Sequence, residues 1–365
     1  MRLTEALGPA VKGGINHFLQ KAPGPIRRTF SKPMSVYIMI TRRCNLRCAM
    51  CGIPYDIRPE LTVDQWKAIL DDVAAFAGGY CKIQFSGGEP LIYEGFLDVL
   101  EHAVKRGLLP GFCTNATVIN EENAQRIMTM GLENVNVSLD GIGAVHDRIR
   151  GEESFERTDK GIRLLIAARE KSGSYTPLIL KTCLMGTNAA DVPNLIAYTR
   201  EVGADGLLFQ PMEIRSGDWG DNEELFRAEG DAIEKAIGLL IEDKQKSGIV
   251  MNGLRHLELF REYFKDPEGD HPGRQQCTVG DTGMMIHCDG AMALCVELGN
   301  IGGATETPPS VAWRSKEAEV MRQRIHACQK GCLQTCYARK SLLDKARALL
   351  FLLRGKRTAR TGPGA

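Results

Sequence analysis

Six short apolar runs, each leading into an amphipathic stretch, constrain this chain more than any other feature. The runs lie at 36–40, 82–85, 109–113, 135–139, 179–184 and 207–210. Segments of helical periodicity lie among them at 62–76, 95–107, 121–131, 158–172 and 190–203. A short continuous apolar run suits a strand buried on both faces, and strands alternating with helices build βα units around a parallel sheet. Six such units with only loops at their ends predict an α/β fold, a partial (βα)6 TIM-like barrel. A full eight-fold barrel and an open doubly wound sheet are the alternatives. All three place chemistry at the C-terminal ends of the strands, and the short motifs of this chain fall there.

The 365 residues, 43% of them hydrophobic, suffice for a sizeable core and two or three units. Residues 223–265 read as one or two long helices. From 277 the pattern changes: 284–287 and 292–295 flank Cys288-Asp289-Gly290, a hairpin with an Asp-Gly turn, and a helix at about 314–327 precedes a dense cysteine run. The expected organisation is a basic amphipathic segment at 1–33, the barrel at 34–245, a helical connection at 246–276, a small cysteine-rich domain at 277–340, and a basic helix and tail at 341–365. The net charge of +1 conceals +5 over 1–33, +7 over 337–365 and −11 between them. Basic ends with an apolar stripe suit an anionic membrane surface; the other reading is that both helices pad the fold. No binding module accompanies the charge, which argues against nucleic acid as a partner. No apolar run approaches the ~18 residues of a membrane span.

Twelve cysteines are many for this length, and the N-terminal region has neither an apolar h-region nor a small-residue cleavage site. The expected location is cytoplasmic, peripheral on the inner membrane face if the basic ends dock there. Thiols stay reduced in that compartment, so grouped cysteines read as metal or redox sites. Cys44, Cys48 and Cys51 follow the first apolar run with C-x3-C-x2-C spacing. Three thiolates in eight residues can ligate three irons of a 4Fe–4S cluster and leave the fourth open to activate a small molecule. A zinc knuckle or an incidental cysteine group is the alternative. Ser86-Gly87-Gly88-Glu89-Pro90 follows the second run, with two glycines for close backbone approach and a carboxylate at the same end of the sheet.

With these motifs the chain resembles the radical S-adenosylmethionine (SAM) superfamily over residues 34–245. The resemblance implies an open iron that chelates the methionine part of SAM, reductive cleavage of SAM, and a 5′-deoxyadenosyl radical that takes a hydrogen from substrate. It implies an electron donor such as flavodoxin or ferredoxin. It assigns Gly87, Gly88 and Glu89 to the methionine amino group, Asn115 to the ribose and methionine, Ser138 and Asp140 to SAM contacts from the fourth strand, and Arg150 to the SAM carboxylate. Gln210 is a further SAM candidate, and Met50 stands where an aromatic residue often packs near adenine.

Cys277, Cys288, Cys295, Cys328, Cys332 and Cys336, with Gly299-Asn300-Ile301 and Ala312-Trp313-Arg314-Ser315, resemble the SPASM/twitch extension that carries auxiliary 4Fe–4S clusters. Six cysteines favour one auxiliary cluster, held by ligands from Cys277, Cys295, Cys328, Cys332 and Cys336, with Cys288 the spare. Two clusters with other ligands, or a structural zinc, are the alternatives. Cys183 and Glu213 are the candidates for catalytic groups. The substrate remains open at this point: a lipid-like or membrane-associated molecule, a ribosomally made peptide, or a small polar molecule acted on by a dehydrogenase or epimerase.

Overall fold

The structure is a computed structural model, and it describes residues 15–16, 18–19, 26–27, 30–79, 81–214, 222–246, 248–267, 269, 277–330 and 332–333. In chain order the first elements are β1 (Ser35–Thr41), α1 (Val63–Ala77), β2 (Lys82–Gly87), α2 (Phe96–Lys105), β3 (Leu109–Thr114), α3 (Glu121–Thr129) and β4 (Asn134–Ser138). Next come α4 (Ala144–Arg150), α5 (Ser154–Ser172), β5 (Leu178–Leu184), α6 (Val192–Glu201), β6 (Gly206–Pro211), α7 (Glu223–Phe226), α8 (Ala232–Lys246) and α9 (Leu254–Lys265). The last are α10 (Val279–Thr282), β7 (Gly283–Ile286), β8 (Ala291–Ala293), β9 (Asn300–Gly303), α11 (Pro309–Ala312) and α12 (Lys316–His326). The alternation of β1 to β6 with helices is the α/β pattern read from the apolar runs.

The chain divides into two units. The first takes in Met1–Val118, Leu132–Asn136 and Gln275–Lys330; the second takes in Ile119–Gly131, Val137–Arg274 and Gly331–Ala365. In the first unit the strands lie in the order β3-β2-β1-β7-β8-β9. β1 pairs parallel with β2, Ser35 opposite Lys82 through Met39 opposite Ser86, and the register shifts before Thr41 meets Gly87. Val36, Ile38 and Ile40 are buried, as are Ile83 and Phe85 of β2. At about 1.5–3 kcal/mol for each large apolar side chain removed from water, this alternation fixes the strand faces. Helix α1 starts at Thr62, whose side chain accepts from Gln65 N in a capping box, and it buries Trp66, Leu70 and Val73. Phe96 of α2 packs edge-on to Phe85 and Phe112.

The Asp-Gly turn forms as expected: β7 and β8 pair antiparallel, and Gly290 at φ +86° closes the turn. What the sequence pattern did not show is that β7 also pairs parallel with β1, Ser35 opposite Gly283.

In the second unit β5 and β6 pair parallel, Ile179 opposite Gly206 through Leu184 opposite Pro211. Leu180, Leu207, Phe209, Ile162, Leu195 and Ile237 are buried there. The stretch expected as one or two helices at 223–265 is three, because the chain takes positive φ at Gly230 and Gly248. Among the described residues no helix is long and apolar enough to cross a membrane. Most of the basic ends, including 1–14 and 334–365, lie outside the described residues. Arg27, counted among those basic charges, is ion-paired with Glu319 (2.6 Å) and Asp281 (3.5 Å).

Candidate functional site

In the first unit the site starts where β1 ends. Cys44, Cys48 and Cys51 are half-buried in the loop after Thr41. Leu46 N–H points at Cys44 Sγ (3.4 Å), and Cys51 N donates to Cys48 O (3.0 Å). N–H groups aimed at sulfur favour the thiolate, the form that ligates metal. The loop is braced on its far side. Thr41 Oγ1 donates to Glu60 Oε1, Arg43 pairs with Glu60 (2.8 Å), and buried Arg42 pairs with Asp56 (3.0 Å).

The Gly87–Glu89 loop is hydrogen-bonded to the cysteine loop. Gly88 N donates to Thr41 O (2.8 Å) and Glu89 N to Arg43 O (2.9 Å). A Cβ on Gly87 would lie 2.1 Å from Thr41 O, and one on Gly88 would lie 2.0 Å from Arg43 O. Only glycine fits at either position. Glu89 is fully buried, and its carboxylate accepts from Thr114 Oγ1 (2.9 Å), Leu91 N (3.1 Å) and Asn115 N (2.7 Å). Asn115 Nδ2 donates to Asn45 Oδ1 (2.9 Å) beside Cys44. Ala116 follows at φ +60°, a conformation that costs a non-glycine residue on the order of 1–3 kcal/mol. The Thr114 hydroxyl holds it by accepting from Ala116 N (2.9 Å). The first unit therefore brings Cys44, Gly87, Gly88, Glu89 and Asn115 together; Met50 is half-buried next to Cys51 in the same loop.

In the second unit Asp140 is the organising group. It is fully buried and accepts from Arg150 Nε (2.6 Å) and Cys183 N (2.7 Å). Asn188 Nδ2 donates to the Asp140 carbonyl (2.8 Å) and to the Cys183 carbonyl (2.9 Å). Asp140 N donates to His146 Nδ1 (3.2 Å), which puts the histidine proton on Nε2, an atom with no partner. Burial, aided by Arg150, drives His146 down to about 3, so the ring is neutral at pH 7. Burial and the Asp140 charge push the Cys183 thiol far above its ordinary value, so it stays protonated. Tyr263 donates to Met212 O (2.9 Å), and burial first, then the charge of Glu213, raises its pKa. Ser138 ends β4, Gln210 lies in β6, and both are half-buried.

Sequence reasoning took Arg150 from the His146-Asp147-Arg148-Ile149-Arg150 run and passed over His146. The signal was the buried face of a short helix, which a one-turn spacing cannot distinguish from a loop. Asn188 and Tyr263 gave no signal.

Of the second cysteine set, Cys277 and Cys295 of the first unit are half-buried, and burial first, with the nearby Cys277 adding to it, raises the Cys295 pKa. The backbone N–H groups of Glu297 and Leu298 favour the Cys295 thiolate, and Lys330 N points at Cys328 Sγ (3.4 Å). Cys288 is fully buried, and burial raises its pKa. Cys332 lies in the second unit, where His256 Nε2 donates to the neighbouring Leu333 O (2.9 Å). Cys336 lies outside the described residues.

Among the described residues no three His, Cys, Asp or Glu side chains converge on a single metal-ion position. A 4Fe–4S cluster binds one thiolate per iron, so its ligands surround it rather than meet at a point. Half-buried cysteines with N–H groups aimed at sulfur, beside a glycine cradle, fit such a group.

Residues 38–182 match the family model described as the radical SAM superfamily. The PqqA peptide cyclase of Bradyrhizobium diazoefficiens is 30% identical over 183 residues, 49% of this chain and 46% of that protein. The Fe-coproporphyrin III synthase of Methanosarcina barkeri is 30% identical over 220 residues, 59% of this chain and 52% of that protein. The chain thus spans about half the length of these curated relatives. The crystal structure of Streptococcus suis SuiB has a similar fold, with a TM-score of 0.63 at 15% identity over 87% of this chain and 74% of that one. So does native anSMEcpe with bound AdoMet and Kp18Cys peptide, with a TM-score of 0.61 at 15% identity over 90% of this chain and 100% of that one.

Proposed function

We propose that this chain, whose residues 38–182 match the radical SAM superfamily model, is an enzyme of that superfamily that modifies a peptide by hydrogen abstraction. The observation that carries the radical-SAM part is the pair of hydrogen bonds joining the cysteine loop to Gly88 and Glu89. Cys44, Cys48 and Cys51 would hold the cluster. When bound, the cluster and SAM supply one electron and a 5′-deoxyadenosyl radical.

The chain's own residues do the rest. Gly87 and Gly88 let their loop close on the backbone of the cysteine loop, because a Cβ at either would meet Thr41 O or Arg43 O. Glu89 accepts an ammonium group while three N–H or O–H donors keep its carboxylate aligned. Asp140 holds the Arg150 guanidinium, the group the family resemblance assigns to the SAM carboxylate. Cys183 stays protonated. Cys277 and Cys295 of the first unit would supply two of the four ligands of one auxiliary cluster.

The peptide reading is supported by the names of the relatives: PqqA peptide cyclases recur among them, and SuiB has been solved bound to its precursor peptide SuiA. Nothing comparable supports a lipid-like substrate. The test is anaerobic turnover with SAM, dithionite and short peptides encoded beside the gene. Loss of mass from one peptide in step with 5′-deoxyadenosine supports the proposal. 5′-Deoxyadenosine that no peptide stimulates but anionic vesicles do would overturn the peptide reading.

A further inference from the structure

One face of the first unit's sheet carries polar groups that the proposed chemistry leaves unused. Side chains along β1 to β4 alternate between two faces. Val36, Ile38, Ile83, Phe85, Phe112 and Val135 are each at most 1% exposed, and Phe96 of α2 packs on the phenylalanines of that face. The other face is not apolar. Tyr37, Gln84 and Gly111 stand on it in register. Asn134 and Asn136 of β4, which this unit includes, continue it. Parallel strands covered on both faces by their own fold read as near-continuous apolar runs, and the inner layers of a closed barrel are filled by bulky branched side chains. A face of amides is suited instead to a polar ligand.

Its hydrogen bonds are half made. Asn136 is 9% exposed, and its Nδ2 donates to Asn134 Oδ1 (2.9 Å). Gln84 Nε2 lies 3.5 Å from Phe85 O and 3.7 Å from Cys113 Sγ. Among the described residues nothing donates to Gln84 Oε1 or to Asn136 Oδ1. Amide oxygens inside a fold ordinarily have partners, so two open ones on one face mark a place for a donor from outside. Asn134 leans onto β3: a Cβ on Gly111 would lie 2.6 Å from its Oδ1. Gly111 has no side chain to separate the amides of β4 from Gln84, and Cys113, next on that face, has a small one.

Two open carbonyl oxygens suit a group with two N–H donors. A primary carboxamide carries both on one nitrogen, whereas a backbone amide or a hydroxyl carries one. An ammonium or guanidinium also donates, but its buried charge needs a carboxylate, and β1 to β4 place no Asp or Glu on this face. Gln84 precedes Gly87 by three residues, about 10 Å of strand, so the face lies on the approach to the Gly87–Glu89 loop.

We propose that Gln84 and Asn136 are specificity-determining residues that bind the primary carboxamide of an Asn or Gln side chain in the peptide substrate. Gln84 Oε1 and Asn136 Oδ1 each accept one of its two N–H groups. The inference rests on the peptide reading and names the side chain that the peptide must present.

The experiment compares the reconstituted full chain with its Gln84→Met and Asn136→Leu variants, which nearly keep the side-chain volume and lose the amide. The probes are pools of short synthetic peptides with Gln, Asn, Met or Leu at the central position and mixed residues elsewhere. The readout is peptide-stimulated 5′-deoxyadenosine formation at low peptide concentration, with SAM affinity measured by calorimetry. The wild-type chain is expected to favour the Gln or the Asn pool over the Met and Leu pools by at least about a hundredfold, because a site built to hydrogen-bond an amide rejects analogues that lack it. Each variant should lose that preference and gain on the apolar pools, with SAM affinity unchanged. A preference that follows the substituted residue does not arise from a weakened fold, and the wild-type preference is decisive even if a variant fails to fold. Equal stimulation of the wild-type chain by amide and apolar pools, or wild-type preference in both variants, would overturn the inference and leave the peptide reading standing. So would a uniform loss with every pool, which would make the amides a brace of the sheet. SAM cleavage that no pool stimulates would overturn the peptide reading and this inference with it.

Discussion

Replacing Asp140 by Asn tests the buried ion pair of the second unit. Asn keeps the shape, and its Oδ1 can still accept from Cys183 N. Its Nδ2 would then face Arg150 Nε across 2.6 Å, a donor against a cationic donor. Removing one partner of a buried pair costs about 3–5 kcal/mol, because the remaining charge stays desolvated. The Arg150 side chain keeps 12% of its exposure, so it can lean partly into water. The lower end, about 3 kcal/mol, is therefore expected, roughly a hundredfold in the unfolding equilibrium. Urea unfolding gives the overall change, and hydrogen exchange of the peptide covering 178–188 reads the second unit by itself. Asp140→Asn/Arg150→Met removes the stranded charge and should recover at least half of the loss. A loss under about 1 kcal/mol, or no recovery in the double variant, would refute the reasoning. SAM affinity should fall in both variants.

Three further outcomes are expected. Gly88→Ala puts a methyl 2.0 Å from Arg43 O and must part the two loops; iron retained after reconstitution should fall, and SAM binding should weaken at least tenfold by calorimetry. Glu89→Gln turns one acceptor into a donor facing a buried donor, at a cost of about 1–3 kcal/mol, read as a lower urea midpoint of the cluster-free chain. His146 has a folded pKa of about 3 against 6.5 unfolded, so the unfolded chain binds more protons between those values. Its contribution is complete above pH 6.5 and is lost as pH falls toward 3, with a slope of about 1.4 kcal/mol per pH unit. His146→Gln should flatten stability against pH by one proton over that window; an unchanged slope measured by urea titration contradicts the buried neutral ring.

What the sequence made legible was local. The six runs became β1 to β6 because buried strands and amphipathic helices advertise themselves within a few residues. The Asp289–Gly290 turn was readable for the same reason. The pairing of β7 with β1 was not, since it joins residues some 250 positions apart and leaves no mark on either strand's pattern. The breaks at Gly230 and Gly248 were missed because a lone glycine in a helical pattern is often tolerated. At the site, the cysteine spacing and Gly87–Glu89 were plain, yet their junction through Thr41 O and Arg43 O is a backbone matter that residue types do not encode. Arg27 was counted only as one of the basic charges of residues 1–33, because its partners, Asp281 and Glu319, lie far along the chain. The Asp140–His146 contact depends on a short helix whose buried face only the structure displays.

The most direct test of the central claim is the yield of 5′-deoxyadenosine from SAM, measured anaerobically with dithionite by the reconstituted full chain and by its Cys44→Ala/Cys48→Ala/Cys51→Ala variant. The account predicts 5′-deoxyadenosine from the wild-type protein and none above background from the triple variant, with auxiliary-cluster iron still bound. Equal yields from the two proteins, or none from a wild-type protein whose cluster has been reduced, would contradict it.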